Sequence, residues 1–330
     1  MEKNTGLSSL NNCNQSSISI EQKILIFLYI TTQGTAYRNA AEKFHHSLDT
    51  ISRVFHEVLD ACCLLYQRIV RISHAAESHD FLKENPKIWP FLEECLGALD
   101  ECHISIAVPS SQQSVWRNRK GWISQNILVA CDFDLNFIYI FARMEGSAHD
   151  SAVLARACNK NGFGLSNDNY FLADAGYSAR SRLMLVPYSG VAYHLKKYAK
   201  TNKRPTNSKE LFNLRHAGLR SCIKRVFGIF KRRFCIFNRA RKSFSIKTQI
   251  KLVFALAAIH NFINQSGEDL IKIENKNESE GNIKSNDDDS QSDISHSTAN
   301  NNRYMKIRRD QIAESMWRQY QDYLDERMKV

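Results

Sequence analysis

Two aspartates stand where α/β proteins place acidic ligands. Asp100 lies inside a short apolar run, Ala98 to Pro109, and Asp174 closes another, Tyr170 to Asp174, just before Ala175-Gly176-Tyr177. A carboxylate at the C-terminal end of a strand projects into the crevice where such sheets bind ligands. Two of them on neighbouring strands repel each other unless a cation lies between, and hard oxygen donors suit Mg²⁺ or Mn²⁺. The chemistry of such a site is in-line attack on a phosphodiester, one metal activating water or a 3′-hydroxyl and the other stabilising the leaving oxygen. Asp150 opens the intervening helical run, Asp150 to Cys158, and lines the same crevice as a further metal ligand. Spacing alone leaves structural alternatives open: a helix cap for Asp150, and turn-stabilising roles for the other two.

A second pattern runs from Ser221 to Phe234. Ile223, Val226, Phe227, Phe230 and Phe234 recur at helical spacing, while Lys224, Arg225, Lys231, Arg232 and Arg233 load the remaining surface with positive charge. A helix with one apolar stripe and this much cation is suited to pack on a core while facing a polyanion. The chain carries 45 Lys and Arg against 34 Asp and Glu, a formal +11. The excess is concentrated, because between Lys196 and Lys251 Glu210 is the only acid. A solvated surface would mix its signs, so the block points to a phosphate-bearing partner, with a merely basic scaffold as the alternative.

Two kinds of element must position these residues. Residues 20–90 read as helical: an apolar face over Ile20, Ile24, Phe27 and Leu28, a stop at Gly34, a short helix from Arg38 to Phe44, and a third through Leu65 capped by Ser47 or Thr50. This is either a helix-turn-helix or plain helical packing. From Leu96 the period becomes that of strands: Ala98 to Pro109, Asn126 to Asp132, Phe137 to Arg143, Tyr170 to Asp174, and a fifth expected at Val191 to Leu195. One or two helices over 208–237 and another from Lys247 to Asn264 complete a mixed α/β domain over 91–264. Residues 1–19 are expected to be a disordered arm and 265–303, rich in acids, Asn and Ser, a disordered linker, with a charged helix over 304–330.

At 43% hydrophobic the chain is too apolar for global disorder. No run approaches the ~18 residues of a membrane span, so no membrane association is expected, nor does a secretory leader appear. The nine cysteines show neither C-x-x-C pairs nor zinc-like spacing, which fits reduced thiols in an intracellular protein.

The order and spacing of several stretches carry a resemblance. They are Leu99-Asp100-Glu101-Cys102-His103-Ile104 with Pro109, Arg117-Asn118-Arg119-Lys120-Gly121 followed by Ser124-Gln125-Asn126, and Ala130-Cys131-Asp132-Phe133-Asp134. Glu145-Gly146-Ser147-Ala148-His149-Asp150-Ser151 follows, then Leu172-Ala173-Asp174-Ala175-Gly176-Tyr177 with Pro187-Tyr188, Glu210 through His216, and Arg220 through Phe234. Over about residues 20–264 the chain resembles the PIF/Harbinger-type transposases, the DDE group that includes domesticated Harbinger-derived nucleases and plant antagonist-of-heterochromatin-like proteins. The resemblance implies an RNase H-like catalytic domain behind a helix-turn-helix-like segment, with Asp100 and Asp174 as the first two catalytic, metal-binding acids. It implies Mg²⁺ or Mn²⁺ as cofactor and DNA as partner, contacted by Arg119, Lys120, Arg220, Arg225, Lys231, Arg232 and Arg233. It also implies a Myb-like DNA-binding partner protein, a homo-oligomer, and a nuclear location with a cytoplasmic pool.

Two positions depart from the family pattern. Glu101 stands where the family has glycine, and Lys224 stands where the third catalytic acid, a glutamate, is expected. Replacing a ligand by lysine changes the local charge by two units, each worth about 4 kcal/mol at ~4 Å and an effective dielectric near 20. Glu210, fourteen residues earlier, would lie ~21 Å away along a continuous helix. Asp132, Asp134 and Asp150 are the remaining candidate substitutes. The two readings are therefore a metal-dependent nuclease with an impaired site, and a DNA- or chromatin-binding protein that retains the fold without the chemistry.

Overall fold

The structure, a computed structural model, describes residues 18–72, 78–148, 150–161, 163–165, 168–177, 182–191, 204–267 and 296–328. The arm expected over 1–19 and the linker expected over 265–303 fall largely outside these residues.

Three helices come first: α1 (Ile20–Gln33), α2 (Tyr37–Phe44) and α3 (Leu48–Ile69). Ser19 caps α1 and Ser47 caps α3, each side-chain oxygen accepting a first-turn backbone N–H. Gly34 ends α1 at φ 57°, in the left-handed region, and a Cβ there would stand 2.7 Å from the Cys235 carbonyl oxygen. Only glycine meets both demands. The helix–turn–helix succession is present, but α3 lies along a later helix, α6 (Ile246–Ser266), through the Tyr66–Phe254 ring contact and the Lys251–Asp60 ion pair. The N-terminal helices are thus packed on the body of the protein.

That body is a five-stranded sheet in the order β3-β2-β1-β4-β5. The strands are β1 (Cys95–Ser105), β2 (Ser124–Cys131), β3 (Phe137–Glu145), β4 (Tyr170–Leu172) and β5 (Met184–Leu185). β1, β2 and β3 run antiparallel, whereas β4 pairs parallel with β1 and β5 parallel with β4. Helix α4 (Asp150–Asn161) makes the crossover between β3 and β4, and α5 (Ser208–Arg233) and α6 follow β5. The mixed sheet flanked by helices is the RNase H-like arrangement. Every residue of β2 is buried, as expected for a strand covered on both faces.

A fifth strand forms ahead of the stretch where the sequence reading expected one. It forms at Met184–Leu185, where Phe171 N–H donates to Leu183 O at 2.8 Å and Ala173 N–H to Leu185 O at 3.1 Å. Val191 lies outside it and residues 192–195 fall outside the described residues. The apolar run Leu183-Met184-Leu185-Val186 is too short, and too close to Pro187, to stand out by period. Residues 208–233 form one helix, and the C-terminal helix α7 spans His296–Met328, starting before the expected 304. α7 packs on α5 beside the β5 edge, where Tyr188 OH donates to Asp310 Oδ1 at 2.6 Å and the Arg309 guanidinium lies 3.8 Å from the Tyr188 ring centre. α6 is long and apolar enough to cross a bilayer, but here it is a core helix between α3 and β3.

Candidate active site

The parallel pairing of β1 with β4 brings the two aspartates together. Ala98 is level with Leu172, so two residues further on each strand Asp100 and Asp174 lie side by side on the same face. That register depends on a bulge between Cys95 and Gly97. Gly97 adopts φ 148°, and a Cβ on it would sit 1.9 Å from the Cys131 carbonyl oxygen of β2. No side chain fits there, so the glycine sets the alignment of the acidic pair.

Helix α5 crosses this pair and presents a row of residues spaced by four: His216, Arg220 and Lys224. Arg220 Nη2 donates to Asp100 Oδ2 at 2.7 Å and to Asp174 Oδ2 at 3.0 Å. Each remaining carboxylate oxygen accepts the next backbone N–H, Glu101 N to Asp100 Oδ1 at 2.9 Å and Ala175 N to Asp174 Oδ1 at 2.7 Å. All four oxygens are therefore engaged by protein donors. The Arg220 side chain is only 10% exposed, so the bridge is largely shielded from water.

Burial pushes the Asp100 carboxyl above its ordinary range, opposed first by the Arg220 charge, while Asp174 raises it further. Lys224, exposed and one turn beyond Arg220, is near enough for its charge to favour the Asp100 carboxylate. His216, one turn before Arg220, is buried and hydrogen-bonded through Nε2 to Leu185 O at 3.0 Å. Its pKa is pushed down to about 4, chiefly by burial.

The donor set does not fit a two-metal centre. Among the described residues no group of three or more His, Cys, Asp or Glu side chains gathers that could hold a metal ion. Two carboxylates face two cations, so Asp100, Asp174, Arg220 and Lys224 sum to no net charge. With glutamate at position 224 the same four side chains would carry two negative charges, the amount one divalent ion neutralises. Lysine removes that attraction and puts an ammonium at the rim.

None of the candidate substitutes that the structure describes repairs the site. Glu210 is held at the start of α5, its Oε2 accepting from Thr206 N and Oγ1 at 2.9 and 3.0 Å. Asp132 closes the β2–β3 turn by accepting from Asn136 N at 2.8 Å, and Asp134 pairs with His79 at 3.2 Å. Asp150 opens α4, but its side chain is outside the described residues. Glu101, the second departure from the family pattern, accepts from Asn126 Nδ2 on the neighbouring strand β2.

The seven residues assigned to DNA separate into groups. Arg119, Lys120, Arg225 and Arg232 are exposed, and Lys231 is half-buried with Nζ donating to His103 O at 3.2 Å. Arg220 and Arg233 correct the sequence reading, since neither is a surface cation. Arg220 bridges the aspartates, and Arg233 is buried against His260, with Nη1 and Nδ1 2.8 Å apart. Each lies on the face of α5 turned to the sheet and α6, where a charge needs an internal partner. Sequence reasoning missed the bridging role of Arg220, although its i−4 spacing from Lys224 was the available signal.

Fold and aspartate pair together define an RNase H-like domain of the DDE superfamily. Comparison with known proteins agrees: residues 99–261 match the DDE superfamily endonuclease family, and residues 6–64 match a domain of unknown function, DUF8040. Residues 99–261 thus carry a DDE superfamily endonuclease domain, and the chain is similar to Harbinger-derived nucleases over most of its length. It is 23% identical over 261 residues to the human protein named "Putative nuclease HARBI1", covering 77% of this chain and 70% of that one. The Mus musculus protein of that name is 24% identical over 272 residues, covering 80% of this chain and 73% of the relative. The Xenopus laevis protein is 23% identical over 262 residues, covering 77% and 71%. No solved structure matches the chain.

Proposed function

We propose that this protein binds DNA without cleaving it. The observation that carries the reading is the Arg220 guanidinium between Asp100 and Asp174, with Lys224 one turn away completing a site of no net charge. A nuclease of this class needs a divalent ion at the acidic pair to stabilise charge on the reacting phosphate. Here the protein's own cations engage the carboxylates, so the domain is retained for its shape and its affinity for phosphate. The exposed Arg119, Lys120, Arg225 and Arg232 support the DNA partner, as does the net charge of +11. A Myb-like partner protein, a second copy of the chain and a nuclear location with a cytoplasmic pool are further proposals of the same reading. The older chemistry stays within reach, because both aspartates are present and level with each other.

The test is supercoiled-plasmid nicking with Mg²⁺ or Mn²⁺. The wild type is expected to leave the plasmid intact, and Lys224→Glu to nick it in a metal-dependent way. Robust wild-type nicking that Asp174→Ala abolishes would overturn the reading.

A further inference from the structure

A small notch lies at the far end of β1 from the acidic pair, beyond the C-terminus of α5. Gln125 of β2, Gln249 of α6, and Arg239 and Arg241 of the connecting segment line it, over the Phe237 and Phe244 rings. Gln249 is already committed: Oε1 accepts from Ala107 N at 2.8 Å, and Nε2 donates to Ala107 O and Phe244 O at 2.9 and 3.0 Å. Gln125 is not, since it is 1% exposed and its buried Oε1 has no hydrogen-bond partner among the described residues. An amide end that no neighbour fixes can turn its NH₂ into the notch. Arg241 is half-buried, and its buried Nε likewise lacks a partner there. Burial and the nearby Arg239 charge both act against the Arg241 cation. No ion pair relieves these two guanidiniums among the described residues, and the chain from Leu211 to Gly267 contains no acid. Two adjacent guanidiniums and an unpartnered buried amide leave donors with nothing to receive them.

We propose that this notch seats a phosphate group, that of a DNA backbone; the choice of DNA rests on the function proposed above. Ser105 at the notch is five residues along β1 from Asp100, about 17 Å at strand rise. Lys231, held against His103 O, lies between them along the strand. The notch would then anchor a strand a few nucleotides away from the acidic pair.

Two measurements test the proposal. In the first, thermal unfolding is followed in inorganic phosphate and in chloride at equal ionic strength. Phosphate is expected to raise the midpoint of the wild type and not of Arg241→Gln, and equal midpoints for the wild type in both salts would overturn the site. In the second, fluorescence anisotropy of a labelled DNA duplex is read across a salt series. Arg241→Gln and Arg239→Gln, the latter at an exposed position and safe for folding, are each expected to weaken binding about tenfold and to lower the salt slope by about one. Wild-type binding that neither substitution changes would overturn the notch while leaving DNA binding intact. A phosphate response lost in Arg241→Gln, with no wild-type DNA binding, would instead overturn DNA as the source of the phosphate and with it the proposed function.

Discussion

Arg220 decides how the acidic pair behaves. Its Nη2 satisfies one oxygen of each aspartate, so removing it leaves two adjacent carboxylates facing each other across a site that is 21% and 35% exposed at their side chains. Breaking a buried pair by deleting one partner costs about 3–5 kcal/mol. Partial exposure screens the charges here, so Arg220→Met is expected to destabilise the fold by about 2–3 kcal/mol in urea unfolding. Arg220→Lys keeps the charge but has a shorter reach than the guanidinium whose Nη2 touches both carboxylates, and should recover only part of that loss. A change below about 0.5 kcal/mol for Arg220→Met would show that the bridge contributes nothing to stability. The aspartates and the missing third acid were legible in the sequence because strand ends and family motifs mark them. The bridge was not, since a basic residue on an amphipathic helix reads as solvent-facing until the helix is placed against the sheet.

At the scale of elements, the β1 bulge and the inner face of α5 control the geometry. Gly97→Ala places a Cβ against the Cys131 carbonyl at a positive φ, so a loss of about 3 kcal/mol or more in unfolding free energy is expected, read as a lower urea midpoint. An unchanged midpoint would mean the bulge is dispensable. His216 gives α5 a pH dependence. Its folded pKa of about 4 lies below the unfolded value near 6.5, so the unfolded chain takes up the proton first as pH falls. Stability from this residue is full above about pH 6.5, and about 3 kcal/mol of it is lost as pH drops towards 4. His216→Gln, whose amide can still donate to the Leu185 carbonyl, should flatten that part of the stability profile. If it keeps the wild-type slope there, His216 is not its source. The long helices and the antiparallel strands were legible from their periods. β5 was not, because a two-residue strand has no period and is defined only by its pairing with β4.

Over the whole molecule, the helices outside the endonuclease match are part of one packed body: α3 lies along α6, and α7 packs on α5 beside β5. Local patterning predicted that these helices exist, but not their docking, which depends on contacts such as Tyr188 with Asp310 that lie 122 residues apart. The concentration of positive charge was plain in the sequence. Its division into exposed cations, internal bridges and the Arg239–Arg241 notch is a property of the fold. With its own cations at the acidic pair, the site is expected to offer no purchase to a divalent ion. Calorimetric titration with Mn²⁺ tests it most directly, using wild type and Lys224→Glu side by side. The wild type is expected to give no binding heat at millimolar metal, and Lys224→Glu to give a saturable isotherm that Asp174→Ala removes. Saturable Mn²⁺ binding by the wild type, lost in Asp174→Ala, would show instead that the acidic pair holds a metal despite Arg220 and Lys224.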